Sequence, residues 1–397
     1  MRARLLGRTS VVWLSACAAI ALAGCSTNAK GGASTVTVSG GTLTVYASQP
    51  PGGSGGQEAS DILHAEALAL QQAGGKAGKF AVKLTEVDTH ELSQNARTAI
   101  ENKTSIAYLG ELQPGTSQIP VEITNQQGLL VISPADTAVY LTQPVPPPVS
   151  TSPSSYYPSR STYNETFARV VPNSATEAKA IVAEMQAQGV SRVFVSSDGT
   201  TYGAATGEEV VRDAKAAGLT LVNSQSGADG IFYGASVVSP AARTAATHAL
   251  DQAASASPSA KLFAPSGLYD DSFVAGLSPS AAQRLIVSSP GFLPKDLTAA
   301  GRRFVSAFRS SFGHTPVPQA IFGYEAMSAL LYVLDKAGAN ADQRSTVVND
   351  FRTLKNPPNS VIGPYSISGG DPSTAPFIFA RVRAGKLIPF KFVQQQG

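Results

Sequence analysis

From Leu43 onward the chain alternates short apolar runs with amphipathic stretches. Leu43 to Ser48, Phe80 to Val87, Ile106 to Leu109 and Leu129 to Ser133 predict strands; Gln57 to Ala73, Glu91 to Glu101 and Thr116 to Asn125 predict helices between them. Strands separated by helices of this length imply right-handed βαβ units and a parallel sheet covered on both faces. The pattern resumes after residue 167. A helix is marked by Ala178, Ile181, Val182 and Met185, and others are expected at Ala205 to Ala217, Ala241 to Ala254, Ala299 to Ser311, Ala320 to Leu334 and Asp342 to Leu354. Arg192 to Ser196, Leu219 to Asn223, Ile231 to Tyr233 and Leu262 to Ala264 predict strands, and Phe377 to Arg383 and Leu387 to Phe392 a closing hairpin. No internal repeat is visible.

Between the two alternating regions the composition changes. Gln143 to Ser161 holds Pro144, Pro146, Pro147, Pro148, Pro153 and Pro158 among Ser, Thr and Tyr. Proline lacks an amide donor and disfavours helix in the residue before it, so an extended segment is expected here. It is read as a connection between two lobes, with a docking motif for a proline-binding domain as the alternative. The expected organisation is lobe 1 over 42–140 and 292–362, a crossover over 141–166, and lobe 2 over 167–288 and 371–397.

The N-terminus is of another kind. Arg2, Arg4 and Arg8 precede an apolar run from Val11 to Leu22, and Leu22-Ala23-Gly24-Cys25 follows. This reads as an export signal (1–24) with a lipoprotein cleavage box, since the run is shorter than the ~20 apolar residues of a spanning helix. Cys25 would carry the lipid and begin the mature chain; an ordinary secretory signal is the alternative. Residues 25–41, rich in Gly, Ser, Thr and Ala, would form a flexible tether. The chain would then stand lipid-anchored on the extracytoplasmic face of the cell membrane. Lys+Arg is 30 against Asp+Glu 27, and the signal removes three arginines and no acid. A balanced mature chain without basic clusters speaks against nucleic acid as a partner. Cys17 and Trp13 leave with the signal, so no disulfide is expected and ligand aromatics must be Tyr or Phe.

Catalytic patterns are scarce. His64, His90, His248 and His314 have no ligand partners at metal-site spacing, and no nucleophile elbow or phosphate loop occurs. The cluster Gly52, Gly53, Gly55, Gly56 lies between a strand and a helix, but Glu58 stands where a dinucleotide loop needs glycine. No cofactor and no enzymatic activity are expected. More telling are three corners at predicted strand ends: Gly115-Thr116-Ser117, Ala135-Asp136-Thr137, and the loop carrying Tyr202. Each reads either as a helix cap or as part of a cleft, because ligands of open α/β sheets bind outside the carboxyl ends of strands.

The stretch from Tyr108 to Thr137, "FARVVPNSATEAKAI" from Phe167, "TTYG" at Tyr202, "VIGPYSISGGD" from Val361 and the closing "RVRAGKLIPF" resemble, in order, the periplasmic leucine/isoleucine/valine-binding proteins. The resemblance covers about Leu43 to Val393. It implies an α/β fold of two Rossmann-like lobes joined by three crossovers, near Leu141 to Phe167, Ser288 to Phe292 and Ile362 to Asp371. It also implies hinge closure on a small-molecule ligand and delivery to an ABC permease. A ligand-sensing lipoprotein acting on a membrane receptor is the alternative, and the chain is expected to be monomeric. The implied pocket comprises Gly115, Thr116, Ser117, Ala135, Asp136, Thr137, Tyr202, Ser236 and Ser266. Ala135, Thr137 and Tyr202 match the family. Pro114 replaces a hydroxyl that holds the ligand carboxylate, Ser266 the carboxylate that pairs with its ammonium, Ser236 a tyrosine, and Gly55 an aromatic. Asp136, Asp270 and Asp271 are the acids that can supply negative charge from other directions.

Overall fold

The computed structural model describes residues 36–50, 56–88, 91–157 and 165–396. Cys25, the signal, most of the tether, His90 and the end of the proline-rich segment lie outside them. In chain order the first half runs β1 (Thr42–Ser48), α1 (Gly56–Gln72), β2 (Lys76–Ala77), β3 (Phe80–Val87), α2 (Leu92–Glu101), β4 (Ser105–Leu109), α3 (Gln118–Thr124), β5 (Leu130–Ser133) and β6 (Phe167–Arg169). These strands form one sheet in the order β2-β3-β1-β4-β5-β6, parallel except for the short β2.

The second half continues with α4 (Ser174–Ala187), β7 (Arg192–Ser197), α5 (Thr201–Ala216), β8 (Thr220–Leu221), β9 (Gly230–Gly234), α6 (Pro240–Ala256), β10 (Lys261–Ala264), α7 (Asp271–Ala275), α8 (Pro279–Arg284) and β11 (Leu285–Pro290). Three helices follow, α9 (Ala299–Phe312), α10 (Ala320–Ala337) and α11 (Arg344–Arg352). Last come β12 (Ile367–Ser368), β13 (Asp371–Pro372), β14 (Thr374–Arg383) and β15 (Lys386–Gln396). The second sheet has the order β15-β14-β11-β10-β9-β7-β8, with β14 and β15 antiparallel.

Strand alternation explains why both sheets are covered on both sides. Val45, Ala47, Ala107, Leu109, Leu130 and Ile132 pack with the apolar faces of α1, α9, α10 and α11, while Tyr46, Tyr108 and Val131 enter a separate core on the opposite face. In the second sheet Ile231, Leu262 and Val287 face one core, and Phe232, Phe263 and Ile286 the other.

Three expectations are corrected. Residues 143–157 do not cross between lobes: Val145, Tyr156 and Tyr157 are buried against the first sheet with Tyr140 and Phe167. Phe167 then donates its amide to the Tyr157 hydroxyl at 3.1 Å. The expected lobe boundary at 166/167 is therefore displaced, because Phe167–Arg169 pairs in parallel with β5 and the chain leaves the first sheet only after Arg169. Strand β11 was not expected, and the predicted strand over Leu219 to Asn223 is reduced to two residues. Among the described residues no helix is long and apolar enough to cross a membrane.

Candidate ligand-binding cleft

The loops after β4 and β5 face the start of α5 and the loop after β10 across the gap between the sheets. Gly115 sits at φ +87°, where an added Cβ would lie 2.7 Å from the Cβ of Tyr202. That close approach needs glycine twice over, for the backbone angle and for the space. The two halves meet directly: Thr137 Oγ1 is 3.1 Å from Ser266 Oγ and 3.3 Å from the Tyr202 hydroxyl. The Tyr202 hydroxyl accepts the amide of Gly267 at 3.3 Å. Four of the nine expected pocket residues thus converge, Gly115 and Thr137 from the first lobe and Tyr202 and Ser266 from the second.

Behind Ser266 stands a carboxylate that sequence reasoning did not single out. Glu177, in the first turn of α4, accepts the Ser266 amide at 2.6 Å, the Ser266 hydroxyl at 2.9 Å and the Ser288 hydroxyl at 2.6 Å. With the Ser266 proton committed to Glu177, Ser266 Oγ is an acceptor toward Thr137 and Tyr202. Burial pushes the Glu177 carboxyl up, opposed by its three donors. Deeper in lobe 1 Glu111 accepts the Tyr108 hydroxyl at 2.6 Å. Its carboxyl is pushed up to about 8, chiefly by burial and further by Asp136, against the bonds from Tyr108 and Ser48.

The start of α3 does not present its amides to the cleft. Asp136 takes them: Oδ1 accepts Gly115 N at 2.8 Å, and Oδ2 accepts Thr116 N at 3.1 Å and Ser117 N at 2.8 Å. Oδ1 also accepts Ala138 N at 2.9 Å. A carboxylate on helix-start amides is the arrangement by which such termini hold anions, and here the chain supplies the anion. This corrects the expectation that Asp136 offers charge to a ligand ammonium. Ser117 does not cap its own helix and instead accepts the amide of Glu111 at 3.1 Å. Thr116 donates to the Gln113 carbonyl at 2.6 Å, and the Ala135 amide donates to Ser133 Oγ at 3.2 Å.

Two cavities reach the gap. One, of about 390 Å³, is lined by Pro114, Gly115, Gln118, Tyr140, Tyr202 and Ser236 among others. Within it Ser236 Oγ and Gln118 Oε1 are buried without a partner among the described residues. The other, of about 310 Å³, lies between Glu58 and Gln319 on the lobe 1 side and Tyr269, Asp270 and Asp271 on the other.

A family model described as periplasmic binding protein matches residues 47–386. The chain belongs to the periplasmic binding protein family. That family is one of binding proteins, not of enzymes. Solved structures with the same fold include the leucine-binding protein LivK of Thermotoga maritima, 16% identical with TM-score 0.71, over 89% of this chain and 98% of that one. An ABC transporter substrate-binding protein of Desulfitobacterium hafniense in complex with Leu is 22% identical, TM-score 0.69, over 88% and 100%. A solute-binding protein of R. palustris in complex with benzoate is 17% identical, TM-score 0.65, over 89% and 96%. No curated protein matches the chain. Two α/β lobes with a ligand-sized gap between them are what a periplasmic binding protein needs in order to close on a solute.

Proposed function

We propose that this chain is an extracytoplasmic, lipid-anchored substrate-binding protein of an ABC importer, capturing a small polar or amino-acid-like ligand between two closing lobes. The observation that carries the reading is the meeting of Thr137 with Tyr202 and Ser266, polar side chains from separate sheets brought together over sequence separations of 65 and 129 residues. The structural neighbours named for ABC transporters support the importer, and the "LAGC" box ending in Cys25 supports the anchor. In this reading lobe 1 comprises 42–169 and 292–362, and lobe 2 comprises 171–290 and 371 onward. Gly115, Tyr202, Ser236 and Thr137 would line the ligand's path.

Lobes joined by crossovers alone open and close as rigid bodies. Small-angle scattering of the unliganded protein should give a radius larger than that of the arrangement in which Thr137 meets Ser266, shrinking when ligand is added. A radius that stays fixed on addition of a ligand proven to bind would count against closure. The anchor has its own readout: mass spectrometry of membrane-extracted protein should find a diacylated Cys25 as the first residue, and Cys25→Ala should abolish it. A mature chain that starts elsewhere, unmodified, would remove the anchor from the reading.

A further inference from the structure

We propose that the ligand of this cleft is a small organic amine without a carboxylate, its ammonium held in the cavity between Glu58, Tyr269, Asp270, Asp271 and Gln319. This rests on the reading of the chain as a binding protein and names the class of its ligand. Three carboxylates line that cavity, and neither Lys nor Arg does. Their protein partners do not balance them. Asp270 accepts Phe273 N at 2.6 Å and the Ser272 hydroxyl, and its one cationic neighbour among the described residues, Arg243, stands with Nε at 3.7 Å on α6 and not in the lining. Asp271 accepts Leu387 N at 2.8 Å. Glu58, half-buried in the first turn of α1, makes no hydrogen bond with any described residue, and it faces Asp270 and Tyr269 across the gap.

Gln319 is an independent observation. It is 3% exposed, its Nε2 donates to Ser289 Oγ at 2.8 Å, and its Oε1 is buried with no partner among the described residues. The orientation of the amide is fixed, because the Ser289 proton goes to the Pro290 carbonyl at 3.1 Å, leaving Ser289 Oγ to accept. A buried acceptor without a donor is costly and calls for one. An alkylammonium entering while the lobes are apart brings three N–H donors and a positive charge, which Gln319 Oε1 and the carboxylates together require. Tyr269 adds an aromatic wall, suited to a cation. A metal ion is not the better occupant: no group of three or more His, Cys, Asp or Glu among the described residues is arranged to hold one.

The rest of the cleft excludes a carboxylate. The helix-start amides of Gly115, Thr116 and Ser117 are already taken by Asp136, and Glu177 lies behind Ser266. Burial, and Asp270 after it, hold the Glu58 carboxyl well above its ordinary range, the direction an arriving cation reverses.

Calorimetry on the purified chain tests this with putrescine, agmatine and spermidine against leucine, benzoate and butyrate. At least one amine should bind in the micromolar range, and Glu58→Gln and Asp271→Asn should each weaken it roughly 10- to 100-fold. Glu101→Gln, at the exposed end of α2, should leave it unchanged. Both cleft variants keep size and shape, and circular dichroism verifies their fold. Binding of a carboxylate and of no amine would overturn the proposal and leave the binding-protein reading standing. Amine binding indifferent to both cleft variants would overturn the placement of the site. Should none of the three amines bind, the proposal falls, while the reading it rests on is decided separately by whether a ligand proven to bind compacts the protein.

Discussion

Replacing Arg169 by Ala is expected to destabilise the protein by ~3–5 kcal/mol, the usual consequence of removing one partner from a buried ion pair. Arg169 is fully buried, yet every donor direction used is answered. Nε meets Asp371 Oδ1 at 2.8 Å, Nη1 the carbonyls of Asp136 and Ala138 at 2.9 Å each, and Nη2 the Thr142 hydroxyl at 2.7 Å. Asp371 in turn accepts Thr142, Gln143 and Asn173. The guanidinium therefore ties the end of β6, where the chain leaves the first sheet, to β13, just before the chain enters the second sheet at β14. It also brackets Thr137 by gripping the carbonyls on either side. Arg169→Lys keeps the charge but not the planar fork, so it should recover only part of the loss. Urea unfolding measures both. A loss under ~1 kcal/mol for Arg169→Ala would mean that water replaces the guanidinium without cost, against what its burial implies.

This hub shows where the sequence is legible and where it is not. Apolar runs at period two and stripes at helical spacing are local, and they revealed most strands and helices of both sheets. Strand β6 escaped because it is three residues long, follows a proline-rich segment, and ends in an arginine whose burial depends on Asp371, 202 residues away. The prolines told that 143–157 is extended but not where it lies; Tyr156 and Tyr157 were the signal that it buries against its own lobe. Caps followed the same division. Asn173, Thr200, Ser239 and Thr298 each accept an amide three residues on, a spacing that sequence displays. Asp136 caps α3 from 19 to 21 residues away, which no local pattern announces. For the cleft, family spacing pointed to Thr137, Tyr202 and Ser266. Glu177 and Gln319 were missed because a first-turn glutamate and a residue preceding a helix are ordinary until tertiary structure turns them on the cleft.

Removing the Asp136 carboxylate should have the second large effect, and a diagnostic one. Asp136→Ala strands four backbone donors, those of Gly115, Thr116, Ser117 and Ala138. Bonds to a charged acceptor contribute ~1.5–3 kcal/mol each, but they are not additive and the loop relaxes, so a loss of ~2–4 kcal/mol is expected. Asp136→Asn should be nearly as harmful, since donors face both carboxylate oxygens and an amide nitrogen would oppose two of them. The alanine variant leaves a helix start whose amides converge on nothing covalent, a ready anion site. Acetate should therefore stabilise it and not the parent chain: by linkage, saturation at 100 times the dissociation constant restores ~2.7 kcal/mol. By the same argument leucine and benzoate should bind the variant better than the parent. Thermal melts in acetate against chloride at equal ionic strength separate this from general salt effects. Equal stabilisation of both proteins would show that the amides do not form a cradle, and with it would go the explanation of why the unaltered cleft refuses a carboxylate.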